Sequence, residues 1–452
     1  MSNEKHWSET KKLRKILIIA NLYHASPRIP ALCKFLPENG WEPTIITPRL
    51  ANLETVFNAP SKDVLAKIRL IEIGEPVSFE TKKNETPFRS RTQRGLKRTI
   101  MKIDSNSDQR LSRALEMQYW RLYHVMNYPD PNRSWCKPAL MAAKGLTENE
   151  SFDLLLSSSS PIVTHLVAKD VHEQCGIPWI AELRDLWSQN HNLHMGKLMK
   201  TRTERLERDT LKGASILVTV SPTWAQDLIS VHGSKEVRCI TNGYDPQSYS
   251  SQPCSKTKNF TITYTGQIYR GKQDPSKFLM ALKQAMEGGL MDSKNVEFRL
   301  FGPGNDTVTR LASELGLTDR VTQYGVVTRQ ASLDHQCESQ LLLLMNWDEE
   351  GQFGVIPLKL FEYMGSGTPI IVTGGKPGDE VSKIIEETRC GACEYSLQDL
   401  VRTLSSYYAE WSKKGAIHSD RDDEMVDKYS FRNLSHDYSK VFDEAIAQNA
   451  GS

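Results

Sequence analysis

Two successive series of short, apolar, partly β-branched runs, each separated by helix-length stretches, constrain this chain more than any other feature. The first series opens with Lys15–Ala20, which reads as a buried strand. A loop containing Pro27 and Pro30 follows, then helix-like spacing through Leu32, Phe35 and Leu36, then the turn and strand of GWEPTIITP. Strand, loop, helix, strand is the opening of a parallel α/β sheet. FDLLLSSSS, PWIAEL and ASILVTVS continue the series with runs of the kind found in sheets covered on both faces. The pattern then restarts with FTITYTGQI, VEFRLFGPG, VTQYGVV, QLLLLMNW and TPIIVTGG. Between the two series lies YDPQSYSSQPCSKTKN, whose Ser, Pro and Lys content is that of a linker.

The predicted architecture is α/β, with one doubly wound parallel-sheet domain over residues 1–248, a linker over 249–258 and a second such domain over 259–424. Residues 425–452 close the chain with a helix whose Tyr429, Phe431, Tyr438, Val441 and Phe442 suit packing back across the first domain. In a pair of such sheets the cleft facing the carboxyl ends of the strands is the expected site. With 452 residues, each domain is long enough to bury its own core. The net charge of +2 argues against a surface built throughout for nucleic acid.

The eight cysteines are scattered, and reduced thiols in a cytosol are the simpler reading. Cys390 and Cys393 form a CxxC with no second pair to complete a zinc site, and His191 and His194 have no third ligand, so no metal is expected. No apolar run reaches the ~18 residues that span a bilayer. The expectation is a cytoplasmic protein, or one peripheral on the inner face of a membrane. Residues 82–113 stand apart, with ten Lys or Arg against three acids and with Leu96, Ile100, Met101, Ile103 and Leu111 interleaved. Such a segment suits an anionic membrane surface, each cation adding ~1 kcal/mol near it; a solvated loop is the plainer alternative.

Two segments of the second half carry chemistry. In FGVIPLKLFEYMGSGTPIIVTGG, Pro357 suits a helix start, and Leu358, Phe361 and Met364 recur as a core face before Gly365 and Gly367. Glu362 sits inside that helix, where a carboxylate can accept hydrogen bonds from a vicinal diol such as a ribose. The plainer alternative is a surface pair with Lys359, three positions earlier. In YTGQIYRGKQDPSKFLMAL, a strand ends at Gly266, a loop carries Arg270 and Lys272, and a helix starts near Pro275. Cations and a helix start together suit a diphosphate leaving group. Gly302 and Gly304 of FGPGND, and Gly374 and Gly375 before a helix start, are further turns able to face phosphates or a sugar.

The segment around Glu362 resembles the donor-binding signature of the group-1 (family 4) retaining glycosyltransferases. The resemblance runs from about residue 15 to 395 and is most specific at 178–188 and 353–375. It implies a GT-B fold, two Rossmann-like domains facing a central cleft, and transfer of a sugar from a nucleotide-diphosphate donor to a polysaccharide or lipid-linked acceptor. It further implies that Glu362 binds the donor ribose and that Lys272 and Arg270 meet the diphosphate. Lys359, Gly266, Gly302, Gly304, Gly374 and Gly375 would line the donor site. A second Glu, usual in the family eight positions before Glu362, is replaced by Gly354. In the first domain SPRIPALCKFLPENGWEPTIIT and PWIAELRDLWSQN resemble a bacterial subset, which makes His24 and Arg28 acceptor or phosphate contacts and aims Arg184 and Asp185 into the cleft. Relatives often carry His-Asp where this chain has Arg184-Asp185. NYPDPNRSWCKPAL resembles the same subset without suggesting a chemical role. A nucleotide-sugar epimerase or phosphorylase of the same architecture, and a non-catalytic relative that binds nucleotide sugar, stay open as alternatives; Gly354 keeps the last of these alive.

Overall fold

The protein is described by a computed structural model over residues 13–22, 27–49, 65, 68–74, 109–190, 193, 195–233, 235–249, 254–348 and 353–450. His24, His191, His194 and the basic stretch from 82 to 108 lie outside these described residues. Two wholly parallel sheets are formed among them. The first holds β1 (Arg14–Ala20), β2 (Trp41–Pro48), β3 (Arg69–Ile73), β4 (Leu154–Ser159), β5 (Trp179–Leu183), β6 (Ile216–Thr219) and β7 (Glu236–Cys239), in the order β3-β2-β1-β4-β5-β6-β7. The second holds β8 (Phe260–Thr265), β9 (Val296–Phe301), β10 (Val321–Gly325), β11 (Leu341–Met345), β12 (Ile370–Thr373) and β13 (Gly391–Glu394), in the order β10-β9-β8-β11-β12-β13.

The strand period of two explains why the first sheet is covered on both faces. Ile16, Ile18 and Ala20 of β1 enter one core with Leu32, Phe35 and Trp41. Leu17 and Ile19, pointing the other way, enter a second core with Val163, Val167 and Trp179. In register, Ile18 stands beside Ile45 of β2 and Leu156 of β4, so the central strand is apolar against apolar on either side. β3, β7 and β13 are half-buried outer strands, absent from the runs read in the sequence. β13 pairs on β12 because Gly391 has no side chain: a Cβ there would overlap the Ile370 carbonyl.

The chain crosses between the sheets twice, and the two crossings are hydrogen-bonded to each other. Tyr244 donates its N–H to the Tyr429 carbonyl at 3.1 Å and accepts from the Phe431 N–H at 2.8 Å. The returning helix, Phe431–Ala450, buries Phe431, Leu434, Tyr438, Val441 and Phe442 in the first core, with Phe442 edge-on to Trp41 at 5.1 Å.

Its polar anchor is Arg28. Rather than reaching an acceptor from the cleft, as expected, this side chain is fully buried. Its Nε donates to Glu182 at 2.8 Å, its Nη2 to the Ile240 carbonyl at 2.7 Å and to the Tyr438 hydroxyl at 2.8 Å. Nη1 donates to the Thr241 carbonyl. The Ser158 and Tyr438 hydroxyls both donate to the Glu182 carboxylate. Burial alone would push this carboxyl up; Arg28 and the two hydroxyls hold it below its ordinary value.

Arg28→Met leaves Glu182 buried without its cation and is expected to cost about 3–5 kcal/mol, read by urea denaturation. Since the Glu182 carboxyl is depressed in the fold, the wild-type advantage is present at neutral pH. It is lost only as pH falls below the ordinary glutamate range and through the depressed value.

Candidate active site

The strand order of the second sheet reverses between β8 and β11, so the loops leaving these two strands diverge and open a crevice at their carboxyl ends. Gly266 ends β8. Its N–H donates to the Phe301 carbonyl at 2.7 Å, and its own carbonyl lies so near Gly302 that a Cβ on Gly302 would overlap it. Gly266 itself has φ +103°, a conformation that favours glycine. Beyond it the loop is pinned by Gln273, which is almost fully buried, accepts the Tyr269 N–H at 3.0 Å and donates to the Met345 carbonyl at 2.7 Å. The Lys272 carbonyl accepts from the Asp348 N–H at 3.0 Å, and Lys272 Nζ stands 4.2 Å from the centre of the Trp347 ring. The loops after β8 and β11 are thus joined at Lys272. Arg270 is exposed at the turn of the same loop.

Behind this turn runs the helix Leu358–Ser366, held to β8 by the Tyr363 hydroxyl, which accepts the Thr265 N–H at 2.9 Å. Lys359 and Glu362 do not form the surface pair that their spacing suggests. Lys359 Nζ donates to the Tyr264 hydroxyl at 2.6 Å, lies 4.0 Å from the centre of that ring, and would be 3.1 Å from a Cβ placed on Gly266. Burial pushes this lysine down to about 7, against the opposing pull of Glu362. Glu362 Oε1 accepts from Arg329 Nη1 at 2.6 Å, both side chains being mostly buried. Burial works against the Arg329 charge, but Glu362 holds its pKa above the ordinary value. Arg329 escaped the sequence reading; its signal is an arginine opening the helix Arg329–Glu338 directly after the Thr328 cap.

Gly374 and Gly375 follow β12 with φ +79° and +74°. A Cβ on Gly374 would be 2.9 Å from the Asn346 carbonyl oxygen, at the end of β11. Asn346 Nδ2 donates to Asp379 at 3.0 Å, and Asp379 caps the next helix by accepting the Ser382 N–H at 2.8 Å. Gly302 and Gly304 line the turn after β9, where Gly302 donates to the Gly325 carbonyl at 2.8 Å and Gly304 has open space beside it. The glycines named in the sequence therefore share one rim, with Asn346 an additional member.

In the first domain Arg184 and Asp185 follow β5 and are half-buried, and Arg184 Nε donates to the Ser159 carbonyl at 3.1 Å. Asp130 of NYPDPNRSW accepts from the Ile162 N–H at 3.0 Å and from Asn132 Nδ2 at 2.9 Å, binding that loop to the helix entry after β4. From the helix Pro222–His232, Trp224 Nε1 donates to the Phe353 carbonyl at 3.1 Å, and the Thr223 hydroxyl donates to Glu380. A Cβ on Gly354 would be 2.6 Å from Trp224 Cδ1 and 2.9 Å from Ser221 Oγ. The position at which a second Glu was expected is filled from the opposite domain.

Two family descriptions match the chain: Glycosyltransferase Family 4 over residues 93–248 and Glycosyl transferases group 1 over residues 259–408. No curated protein matches its sequence. A glycosyltransferase from Rickettsia africae superposes with a TM-score of 0.58 at 12% identity, covering 96% of this chain and 99% of the other. The Anabaena protein HepE in complex with UDP-glucose superposes at 0.54 with 13% identity, covering 97% and 99%. Sucrose-phosphate synthase from Thermosynechococcus elongatus superposes at 0.53 with 14% identity, covering 96% and 100%. These likenesses establish the GT-B fold.

Gly354 has φ +81° and the indole against it. Gly354→Ala is expected to destabilise the protein by about 1–3 kcal/mol, read by thermal unfolding. In a Trp224→Ala background the same substitution should cost less, since the clash with the indole is gone and only the backbone strain is left.

Proposed function

This chain belongs to the group-1 glycosyltransferases, and we propose that it moves a hexose from a nucleotide-diphosphate sugar to a glycan or lipid-linked acceptor with retention at the anomeric carbon. The observation that carries this reading is the convergence of Lys272, Lys359, Gly266 and the Arg329–Glu362 pair at the β8/β11 crevice. Negative charge on a leaving diphosphate develops where cations and glycine-rich turns already stand, so little reorganisation is needed as the bond breaks. Lys272 and Arg270 take the diphosphate. Glu362, oriented by Arg329, takes the ribose diol. The turn at Gly374 and Gly375 faces the sugar, and Arg184 and Asp185 reach the reaction from the acceptor side.

In the retaining step the C1–O bond to the diphosphate breaks as the acceptor oxygen bonds to C1 on the same face. The acceptor's proton passes to the departing diphosphate oxygen. Charge stabilisation by side chains makes a metal unnecessary in this scheme. HepE holds UDP-glucose in its crystal, which favours a uridine nucleotide for the first trials.

The acceptor side suits a membrane-borne substrate. The helix Gln109–Met126 exposes Trp120, Leu122 and Val125, and it continues directly from the basic stretch that begins at residue 82. An interfacial helix combines apolar contact with attraction to anionic lipid in this way.

A thermal-shift screen against UDP, GDP, ADP and their sugar conjugates should find one nucleotide family that stabilises the protein, by ~2.7 kcal/mol at ~100 times the dissociation constant. Glu362→Ala should lose that shift. Lys272→Ala should lower turnover by about 10²–10³ with a smaller change in donor affinity; unchanged kinetics in both variants would mean that the donor lies elsewhere.

Co-sedimentation with phosphatidylserine vesicles is expected at low salt and should weaken steeply as salt is raised. Equal recovery with neutral vesicles, or none with either, would contradict the membrane role.

A further inference from the structure

Lys359 differs from the other cations of the crevice in where its charge is held. It stands on the second residue of the helix Leu358–Ser366, half-buried, with Nζ between the Tyr264 ring and the Gly266 turn. The oxygen bound to it is a phenol, Tyr264 at 2.6 Å, and a neutral phenol accepts a hydrogen bond without neutralising an ammonium. The carboxylate that acts on it, Glu362 on the same helix, is engaged by Arg329 at 2.6 Å. Tyr363, the next titratable group of that helix, has its hydroxyl on the Thr265 N–H. Among the described residues, a lysine so placed has no tight anionic partner, and it faces the turn at which a diphosphate would arrive.

We propose that Lys359 is a further phosphate-binding cation of the donor site and that it takes up one proton from solvent as the nucleotide diphosphate binds. The proposal rests on the donor-site reading above. Burial already lowers this lysine to about 7, so above neutrality a large share of it is the free amine. An arriving diphosphate supplies the missing negative charge and favours the ammonium: a solvent proton bonds to Nζ, and the new N–H points at a phosphate oxygen. The start of the helix, the positive end of its dipole, reinforces the same preference for an anion. The sign follows directly. The bound state holds more protons than the free state, so donor affinity falls as pH rises above about 7.

The experiment is isothermal titration of the full chain with UDP, GDP and ADP between pH 7.2 and 8.7, in HEPES and in Tris, neither of which brings a phosphate to the site. This range lies above the ~6 at which a terminal phosphate itself titrates. Uridine serves as the phosphate-free control. The expected result is a dissociation constant that rises with pH by up to tenfold per unit, with an apparent enthalpy that differs between the buffers by the uptake of up to one proton. Uridine binding should be flat with pH. Lys359→Arg, which stays charged throughout, should bind the nucleotide with pH-independent affinity. Lys359→Met should bind more weakly and be equally flat. Buffer-independent enthalpy in the wild type, or the wild-type pH slope surviving in Lys359→Met, overturns the proposal while leaving the donor site in place. Absence of binding by all three nucleotides overturns the donor-site reading itself, and this proposal with it.

Discussion

The buried contact of Arg28 with Glu182 and Tyr438 is the constraint on which the arrangement of this molecule depends. Its three partners come from the first helix of the chain, the fifth strand and the last helix, more than 400 residues apart at the extremes. A charge pair taken out of water is stable only when its remaining donors and acceptors are also met. Here Ile240, Thr241 and Ser158 meet them. Because the Tyr438 hydroxyl both accepts from Arg28 and donates to Glu182, this buried charge cluster is completed only once the chain has built its second sheet and come back. That return fixes the second crossing beside the first, at Tyr244 and Tyr429. Gly243 is the residue that permits the approach, since a Cβ there would overlap the Tyr429 carbonyl and lie 2.6 Å from Leu434.

At the carboxyl edge of the second sheet the cations are supported differently. Lys272 lies over Trp347, Lys359 over Tyr264 and Lys376 over Phe353 at 5.5 Å. An aromatic face attracts and orients an ammonium without cancelling its charge. Lys359, whose ammonium bonds a phenol, keeps its field for an incoming anion, whereas a cation held by a carboxylate spends it. Arg329 is the counterexample: its guanidinium is joined to Glu362, and what it contributes is the orientation of that carboxylate. On the proposed function, the two supports divide the crevice into a part that attracts phosphate and a part that presents an acceptor to hydroxyl groups.

The central strands were legible because strands buried on both faces are apolar at every position, as in Ile16–Ile19 and Leu341–Leu344. β3, β7 and β13 were not, since charged or small residues interrupt the apolar ones in RLIEI, EVRC and GACE and the strands are half-buried. At the site, the glycines and Lys272 were legible as turns and loop cations next to strand ends. Arg28 was misread because an arginine after the first strand looks the same whether it faces the cleft or the core. Only the burial of Glu182, inside an otherwise apolar strand, distinguishes the two. Asn346 and Trp224 had no local signal, and Arg329 only its place after a helix cap: their importance arises from pairs 33, 129 and 33 residues apart in sequence.

Trp224 also bears on how the two domains communicate. Its indole holds the Phe353 carbonyl and covers Gly354, and Val355 packs into the core of the first domain. Two residues further on, Pro357 begins the helix that carries Lys359 and Glu362. The same short backbone is therefore a bearing surface for the first domain and the entry to the helix that carries Lys359 and Glu362. A side chain at 354 would separate these functions by forcing the indole away; glycine keeps them in contact. Relative movement of the domains about the paired crossings at Tyr244 and Tyr429 must either carry this segment along or break the indole contact. In both cases the displacement reaches Lys359 within a few residues. Coupling of this kind requires a discrete contact that is made or broken, and the Trp224–Phe353 hydrogen bond, reinforced by Thr223 on Glu380, supplies one at the rim of the crevice.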